Sequence, residues 1–397
     1  MFNACSAVKK TKDLPFIFCK FFALILFDPL LAGIKAIVFF FIYKKYFMHY
    51  KKQMSNEKKI KVCLIGPGRI GMSLEFDSLR KKPATHFGMW MKNRYCDLVA
   101  VSDVDPKKFY LAKKLKKNIL FFTNYKKMLN EIKPKIVSIS TWKDSHYKIT
   151  SDCLDFGIKV IVLEKPLANN LTQSNKIIEK IKQNKAKVII NHRRRFDTEI
   201  INLAMKLKKG VIGDIVQVSS NYVYGLLTTG THLIDTLRML LYPIAGEIKY
   251  VTGFKNKFKV FNPPGDSSYD GILQFENGLK ASFHSHNIRD YDIFDFHIYG
   301  TRGKILITDI GRSILKYKII KSPEHSGFTE LSTDNEKLCK SDPRPQFEKL
   351  SQNALDCLKI KNKLPLCSAH DSHIDMIIIN SIIKSDKLKK TIKVNIK

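Results

Sequence analysis

Short apolar runs recur along the chain, and between residues 60 and 190 they alternate with segments of helical period. The run Ile60–Ile65 (IKVCLI) is rich in β-branched residues and predicts a buried strand. Further strands are predicted over 98–102, 136–140, 159–163 and 188–190, with helices over 145–156 and 171–184. Strand and helix in turn imply an α/β fold: a doubly wound parallel sheet with helices on both faces. Past residue 186 the period shortens. Strands are predicted over 216–224, 250–254, 270–274, 281–285, 294–299 and 304–309, with Asn277-Gly278 as a hairpin turn. This second half reads as an α+β domain with a mainly antiparallel open sheet. The polar stretch 322–345, with Pro323, Pro343 and Pro345, reads as a surface loop.

The first strand runs straight into Gly66-Pro67-Gly68-Arg69-Ile70-Gly71, and a helical pattern follows. This is GxGxxG in the setting a dinucleotide-binding Rossmann loop needs. Gly66 allows a tight turn, Gly68 lets backbone approach a pyrophosphate, and Gly71 lets helix and strand pack closely. A helix N-terminus there would face the phosphates with free N–H groups. Arg69 and Ile70, inside the motif, are counted with the cofactor contacts. The second strand ends at Asp103, whose carboxylate suits the adenosine ribose hydroxyls and repels a 2′-phosphate. NAD is therefore the expected cofactor, while Lys107 and Lys108 leave NADP open. The segment Arg80–His86 reads as an insertion between the first helix and the second strand.

Three domains are expected: an apolar extension over 1–53, an NAD(P)-binding Rossmann domain over 54–185, and a substrate-binding and oligomerisation domain over 186–397. Residues 14–47 are strongly apolar but are broken by Lys20, Asp28-Pro29 and Lys35. Each clean run is thus shorter than the ~18 residues of a spanning helix. Two readings stay open. Residues 1–53 are upstream sequence, with the protein starting at Met54, or they are a membrane anchor. Membrane contact is expected only in the second case.

The formal net charge of +33 invites a nucleic-acid reading, but Lys is spread along the chain and not gathered on one stripe. Nucleic acid is not an expected partner. An anionic substrate such as a sugar nucleotide remains open. The eight cysteines form no CxxC pair, and no His cluster has metal-ligand spacing, so no metal is expected. Reduced thiols in a cytoplasmic setting are the plain reading.

The polar residues at the strand ends carry the chemistry. Asp103, Thr141-Trp142, Glu164-Lys165 and the Arg193-Arg194-Arg195 run all follow predicted strands, where open α/β sheets bind ligands. In order, GPGRIG, VAVSDVDP, STWKDSH, LEKPLA, NHRRRFD and GTHLIDTLRML resemble the glucose–fructose oxidoreductase / inositol dehydrogenase (Gfo/Idh/MocA) family, over roughly residues 57–395. The resemblance implies an NAD(P)-dependent oxidoreductase acting on CH–OH groups of a sugar, cyclitol or sugar nucleotide. It implies that Lys165 lies near the nicotinamide and that His232 is the general acid/base. Thr141, Trp142, His146 and Glu164 are expected to contact cofactor. Arg194, Arg195, Thr228, Asp235 and His232 are expected to face substrate. Many members carry Asp four residues before the motif His; this chain has Thr228, which cannot relay a proton as a carboxylate does. Asp235 would orient the imidazole or pair on its own helix. The exposed sheet face of the family often forms a dimer interface, so a homo-oligomer is expected.

The residues themselves suit this chemistry. A His near neutral pKa is the natural base for a hydroxyl proton. A Lys facing a cationic ring in a buried site should have its pKa lowered. Two alternatives carry different weight. A lone His is more often structural, and His86, His146, His192 and His297 read that way; Tyr222 and Tyr224 suit sheet packing as well as substrate. The absent carboxylate at Thr228 also fits a non-catalytic NAD-binding sensor or scaffold.

Overall fold

The computed structural model describes residues 59–258, 261–340 and 344–396. The apolar extension over 1–53 and the Met54 start lie outside the described residues. Among those residues no helix is long and apolar enough to cross a membrane.

The first layer is a parallel sheet of β1 (Ile60–Ile65), β2 (Cys96–Ser102), β3 (Leu120–Phe122), β4 (Ile136–Ile139), β5 (Val160–Leu163) and β6 (Lys187–Ile190). Its order is β3-β2-β1-β4-β5-β6, with the chain direction reversing its advance between β1 and β4. β4 and β5 are buried along their whole length, as continuous apolar strands between two helical layers must be. Helices α1 (His86–Lys92), α2 (Lys108–Leu115), α3 (Tyr125–Ile132), α4 (Lys143–Asp155) and α5 (Leu171–Asn184) cover the sheet. Local signals set their ends. The Asn170 side chain accepts from Gln173 N to start α5, and Lys185 stops it in the left-handed region at φ 50°. β3 escaped prediction because it is a three-residue edge strand with no buried run.

The helix expected after the glycine loop is interrupted. One turn forms as Met72 N donates to Gly68 O, and the chain then leaves through a short 3-10 turn at Ser73–Phe76. The helix resumes twelve positions late by the count 86 minus 74. His86 N donates to Ile70 O (3.2 Å) and Phe87 N to Gly71 O (2.8 Å), the bonds that residues 74 and 75 would make in a continuous helix. The insertion therefore sits inside the first helix and not after it. Glu75 pins it, accepting from Ala84 N (2.7 Å) and Thr85 Oγ1 (2.9 Å).

Helices α6 (Thr198–Lys208) and α7 (Thr231–Ala245) flank the start of the second layer. Its nine strands are β7 (Ile215–Val223), β8 (Ile248–Lys255), β9 (Tyr269–Phe275), β10 (Lys280–His286), β11 (Asp295–Gly300), β12 (Gly303–Thr308), β13 (Ser313–Lys321), β14 (Thr329–Lys340) and β15 (Ile392–Lys393). They lie in the order β14-β13-β12-β11-β7-β10-β9-β8-β15, antiparallel except for β7 with β10. The predicted Asn277-Gly278 turn joins β9 to β10, with Gly278 at φ 93°.

One expectation is corrected here. The polar stretch 322–345 is not a plain loop, since residues 329–340 pair with β13 as an exposed hairpin. Neither face of that strand is buried, so it shows no alternation. Around the expected cut at 185/186, the first core draws on residues from both sides. β6 completes the parallel sheet, and α8 (Arg344–Lys359) returns to it, with Phe347, Leu350, Ala354 and Leu355 in the first core. Periodicity shows that a helix has an apolar face but not which sheet receives it.

The last helix, α9 (Ala369–Leu388), packs on β8, where a Cβ on Gly253 would lie 2.6 Å from Ile382 Cγ2. It is tied to α7 by Arg238, whose Nη1 lies 2.8 Å from the buried Asp375 Oδ1 and whose Nη2 lies 2.8 Å from Glu247 Oε2. Removing one partner of such a pair strands the other charge, at a cost of about 3–5 kcal/mol. Arg238→Leu should therefore unfold at markedly lower urea concentration, and Arg238→Leu with Asp375→Leu should recover most of the loss. Equal stability of the single and double variants would refute the stranded-charge account.

Candidate active site

The glycine loop divides its labour. Gly66 sits at φ 79°, where a Cβ would lie 2.5 Å from Thr141 Cγ2. A Cβ on Gly71 would collide with Gly66 O and lie 2.6 Å from Ser140 Oγ. These two glycines serve the chain's own packing. A Cβ on Gly68 would meet nothing nearer than Gly66 O at 4.0 Å, so this glycine keeps open a space that the protein itself does not fill. That opening is where a pyrophosphate belongs, and it fits the dinucleotide reading. Arg69 is exposed at the tip of the loop and Ile70 is half-buried. Asp103 ends β2, with Oδ1 accepting from Asp105 N at 2.9 Å. Trp142 is 80% exposed at the start of α4, leaving its indole free beside the strand ends.

Glu164 and His146 are buried among the protein's own polar groups. Glu164 is buried and accepts from His86 Nε2 (2.8 Å) and from the Asn191 amide. Burial works to raise its pKa, and the His86 and Asn191 bonds outweigh it, bringing the carboxyl to about 2. His86 Nδ1 lies 2.8 Å from Ser138 Oγ, so the resumed helix is bolted to β4 and β5. His146 is buried, with Nδ1 2.7 Å from Pro166 O and Nε2 3.0 Å from Thr141 O. Burial lowers its pKa and the two carbonyls oppose that shift, since a neutral ring can donate to only one of them.

At the end of β5, Lys165 Nζ donates to Thr228 O at 2.6 Å. Thr228 lies in a single π turn, Leu226–Gly230, that leads into α7 and so to His232. Asp266 holds this turn: Oδ1 accepts from Leu227 N (3.0 Å), and Oδ2 accepts from Thr228 N and Oγ1 (both 2.8 Å). A side chain at Gly225 would collide with the Asp266 carboxyl, so Gly225 and Asp266 belong together. Asp266 was not visible in the sequence. Pro263-Pro264-Gly265 marks a turn there, but nothing marks its reach to Thr228.

Burial lowers the Lys165 pKa; Glu164 and Asp266 oppose the shift and Arg193 adds to it. Burial, followed by Lys165, His192, Arg194 and Arg193, holds the His232 pKa well below the usual imidazole value. His232 is thus a neutral base, and its ring and the Lys165 side chain remain partly accessible.

Asp235 plays another part than the expected one. Its Oδ1 accepts from Arg195 Nε (2.9 Å), and Arg195 also faces Asp371 (3.5 Å). Arg195 is therefore held in an internal pair. The group beside His232 is His192, edge-on at 5.3 Å between ring centroids. His192, Asp235 and Asp375 bring ligand-type atoms within 4.8 Å of one another. Arg195 and Arg238 already bind the two carboxylates, so this is a buried ion-pair network and a poor cation site. Arg194 stacks on Phe294, with Cζ 3.6 Å from the ring centroid. Tyr222 is core: its hydroxyl donates to Tyr269 O at 2.7 Å.

Comparison with known proteins identifies the family. A family profile described as "Oxidoreductase family, NAD-binding Rossmann fold" matches residues 60–192, and one described as "GFO/IDH/MocA C-terminal domain" matches 201–306. The uncharacterised oxidoreductase YhhX of Escherichia coli K12 is 25% identical over 53% of this chain and 64% of its own length. Inositol 2-dehydrogenase of Gluconacetobacter diazotrophicus is 29% identical over 26% of this chain and 34% of its own length. The aligned part is less than two thirds of either relative. Levoglucosan dehydrogenase in complex with NADH superposes with a TM-score of 0.66 at 18% identity, over 85% of this chain and 100% of that one.

The glycine geometry separates binding from folding. Gly68→Val should leave the unfolding midpoint of the cofactor-free protein nearly unchanged, within about 0.5 kcal/mol as for other unhindered sites. It should weaken NADH binding by at least about tenfold, since the side chain fills the phosphate space. Quenching of tryptophan emission on NADH titration reads the affinity. Wild-type affinity in Gly68→Val would overturn the assignment of that space.

Proposed function

The chain belongs to the GFO/IDH/MocA family of NAD-binding oxidoreductases, and on that premise we propose that it moves a hydride between nicotinamide and the CH–OH carbon of a sugar, cyclitol or sugar nucleotide. The observation that carries this reading is the Lys165–Thr228 bond, which joins the cofactor-side strand edge to the turn preceding His232. The named activities of two proteins similar to it, inositol 2-dehydrogenase and levoglucosan dehydrogenase, support a polyhydroxylated substrate.

Bound nicotinamide supplies hydride uptake from the carbinol carbon, or hydride delivery in the reverse direction. His232, neutral through burial and neighbouring cations, accepts the hydroxyl proton as the carbon–hydrogen bond breaks. Lys165 donates a hydrogen bond to the same oxygen and steadies its developing negative charge. The Thr228 carbonyl aims the ammonium, and Asp266 fixes that carbonyl through the π turn. Asp266 is thus a positioning residue, and it returns a carboxylate to the neighbourhood in which many relatives carry one. Asp103 favours NAD through the adenosine ribose. Cys63, Cys153, Cys357 and Cys367 are buried thiols outside any disulfide, which suits a reducing cytoplasm. The outward side of the nine-stranded sheet, where Ile272 and Phe254 are exposed, suits a homo-oligomer contact.

Two outcomes test the mechanism. With a turned-over sugar substrate, Lys165→Met and His232→Asn should each lower kcat by about 10²–10⁴ while NADH affinity is kept. In the wild type, a depressed His232 pKa keeps the base unprotonated below the usual value of about 6.5, so kcat/KM for oxidation should hold into more acid solution before falling. Undiminished kcat in either variant would remove that residue from the mechanism. The Asp266 charge raises the Lys165 pKa, so Asp266→Asn should move the alkaline limb of the pH profile to lower pH. An unmoved limb would leave Asp266 with a purely structural role.

A further inference from the structure

The charged groups around the recess are almost all occupied by partners in the protein. Glu164 is held by His86 and Asn191, and Lys165 by the Thr228 carbonyl. Asp266 accepts from Leu227, Thr228 and Ser267. Arg195 is paired with Asp235 and Asp371. Two guanidiniums remain. Among the described residues, Arg193 and Arg194 have neither a carboxylate nor a carbonyl within hydrogen-bonding distance of their side chains, although both are half-buried.

Their setting is specific. Both follow β6 in the turn Arg193–Phe196, at the same sheet edge as Lys165. The Arg194 plane lies on the Phe294 ring at 3.6 Å, and a Cβ on Gly311 would lie 2.9 Å from its Nη2. The second layer thus holds this guanidinium flat and makes room for it. Stacking occupies one face of the group and leaves its in-plane N–H edge free, which is the edge that grips two oxygens of an oxyanion at once. The catalytic scheme above uses both only as cations that help keep His232 neutral.

Resting on the reading of this recess as a hydride-transfer site, we infer that the substrate carries an oxyanionic group, a carboxylate or a phosphate, and that Arg194 clamps it bidentately with Arg193 alongside. Both cations also act on His232, and Arg193 acts on Lys165, which puts the clamp within electrostatic range of the reacting groups. Burial first, and then Arg193, lower the Arg194 pKa to about 9, a repulsion that a bound anion would relieve. The spread-out Lys content of the chain does not account for this feature, since the two groups are arginines in a recess.

The test uses the full-length protein with NAD and three matched probes: glucose, glucuronate, and the phosphate ester of glucose. Turnover is read as NADH absorbance, and binding of each probe to the NADH-loaded protein is read by calorimetry. Loading with NADH keeps the probes out of the cofactor's own phosphate space. One anionic probe should exceed glucose in affinity by about 100-fold, and Arg194→Gln should remove that advantage. Arg194→Lys should recover only part of it, because a lysine keeps the charge and loses the fork. Preference for glucuronate assigns a carboxylate, and preference for the ester assigns a phosphate. If anionic binding depends on Arg194 but no probe is turned over, the clamp stands and the hydride-transfer reading fails. If glucose binds as well as both anions, or if Arg194→Gln binds them as the wild type does, the inference is overturned.

Discussion

A partly buried ammonium needs an acceptor, and the position of Lys165 follows from that need. Its Nζ lies 2.6 Å from the Thr228 carbonyl, which is offered by a π turn of the second layer. The turn in turn requires Asp266 to accept its N–H groups, and Asp266 requires that residue 225 have no side chain. Thus one hydrogen bond from the end of β5 commits the packing of a loop about a hundred residues away in sequence, by the difference between 266 and 165. The same turn delivers His232 at the start of α7. Satisfying the lysine and assembling the site are one event.

The parallel sheet was legible because its strands are buried on both faces and read as unbroken apolar runs. The glycine loop, Asp103, Thr141, Lys165 and the arginine turn were legible because each directly follows such a run. Less legible was whatever depended on a distant partner. His86 and Glu164 are separated by 78 residues and meet through a hydrogen bond that no local pattern announces. Asp266 carries the carboxylate whose absence at Thr228 raised the sensor reading. The insertion was visible as extra length, but its place inside the helix needed the backbone bonds from His86 and Phe87. The roles of Arg194 and Arg195 could not be divided from three identical letters. Only Asp235 and Phe294 separate them.

The site also shows what its chemistry costs the fold. Lys165, Arg193, Arg194 and a neutral His232 lie near enough to act on one another, and neighbouring cations repel in a medium poorer than water. Glu164 offsets part of that field and is itself kept ionised by His86 and Asn191. Behind the recess, Arg195 and Arg238 bind Asp235 and Asp375, so the rear wall is a set of matched charges and not an apolar core. Matched buried pairs add little net stability; His192 lies beside both carboxylates and packs edge-on against His232.

The central claim is that Lys165 and His232 flank a hydride-transfer position at the carboxyl edge of the parallel sheet. A crystal structure of the protein with NADH bound tests it most directly. The account predicts the pyrophosphate over Gly68 and the reactive ring carbon within about 3–3.5 Å of a substrate atom placed between Lys165 Nζ and the His232 ring. A nicotinamide directed away from Lys165, with His232 facing only protein, would contradict it.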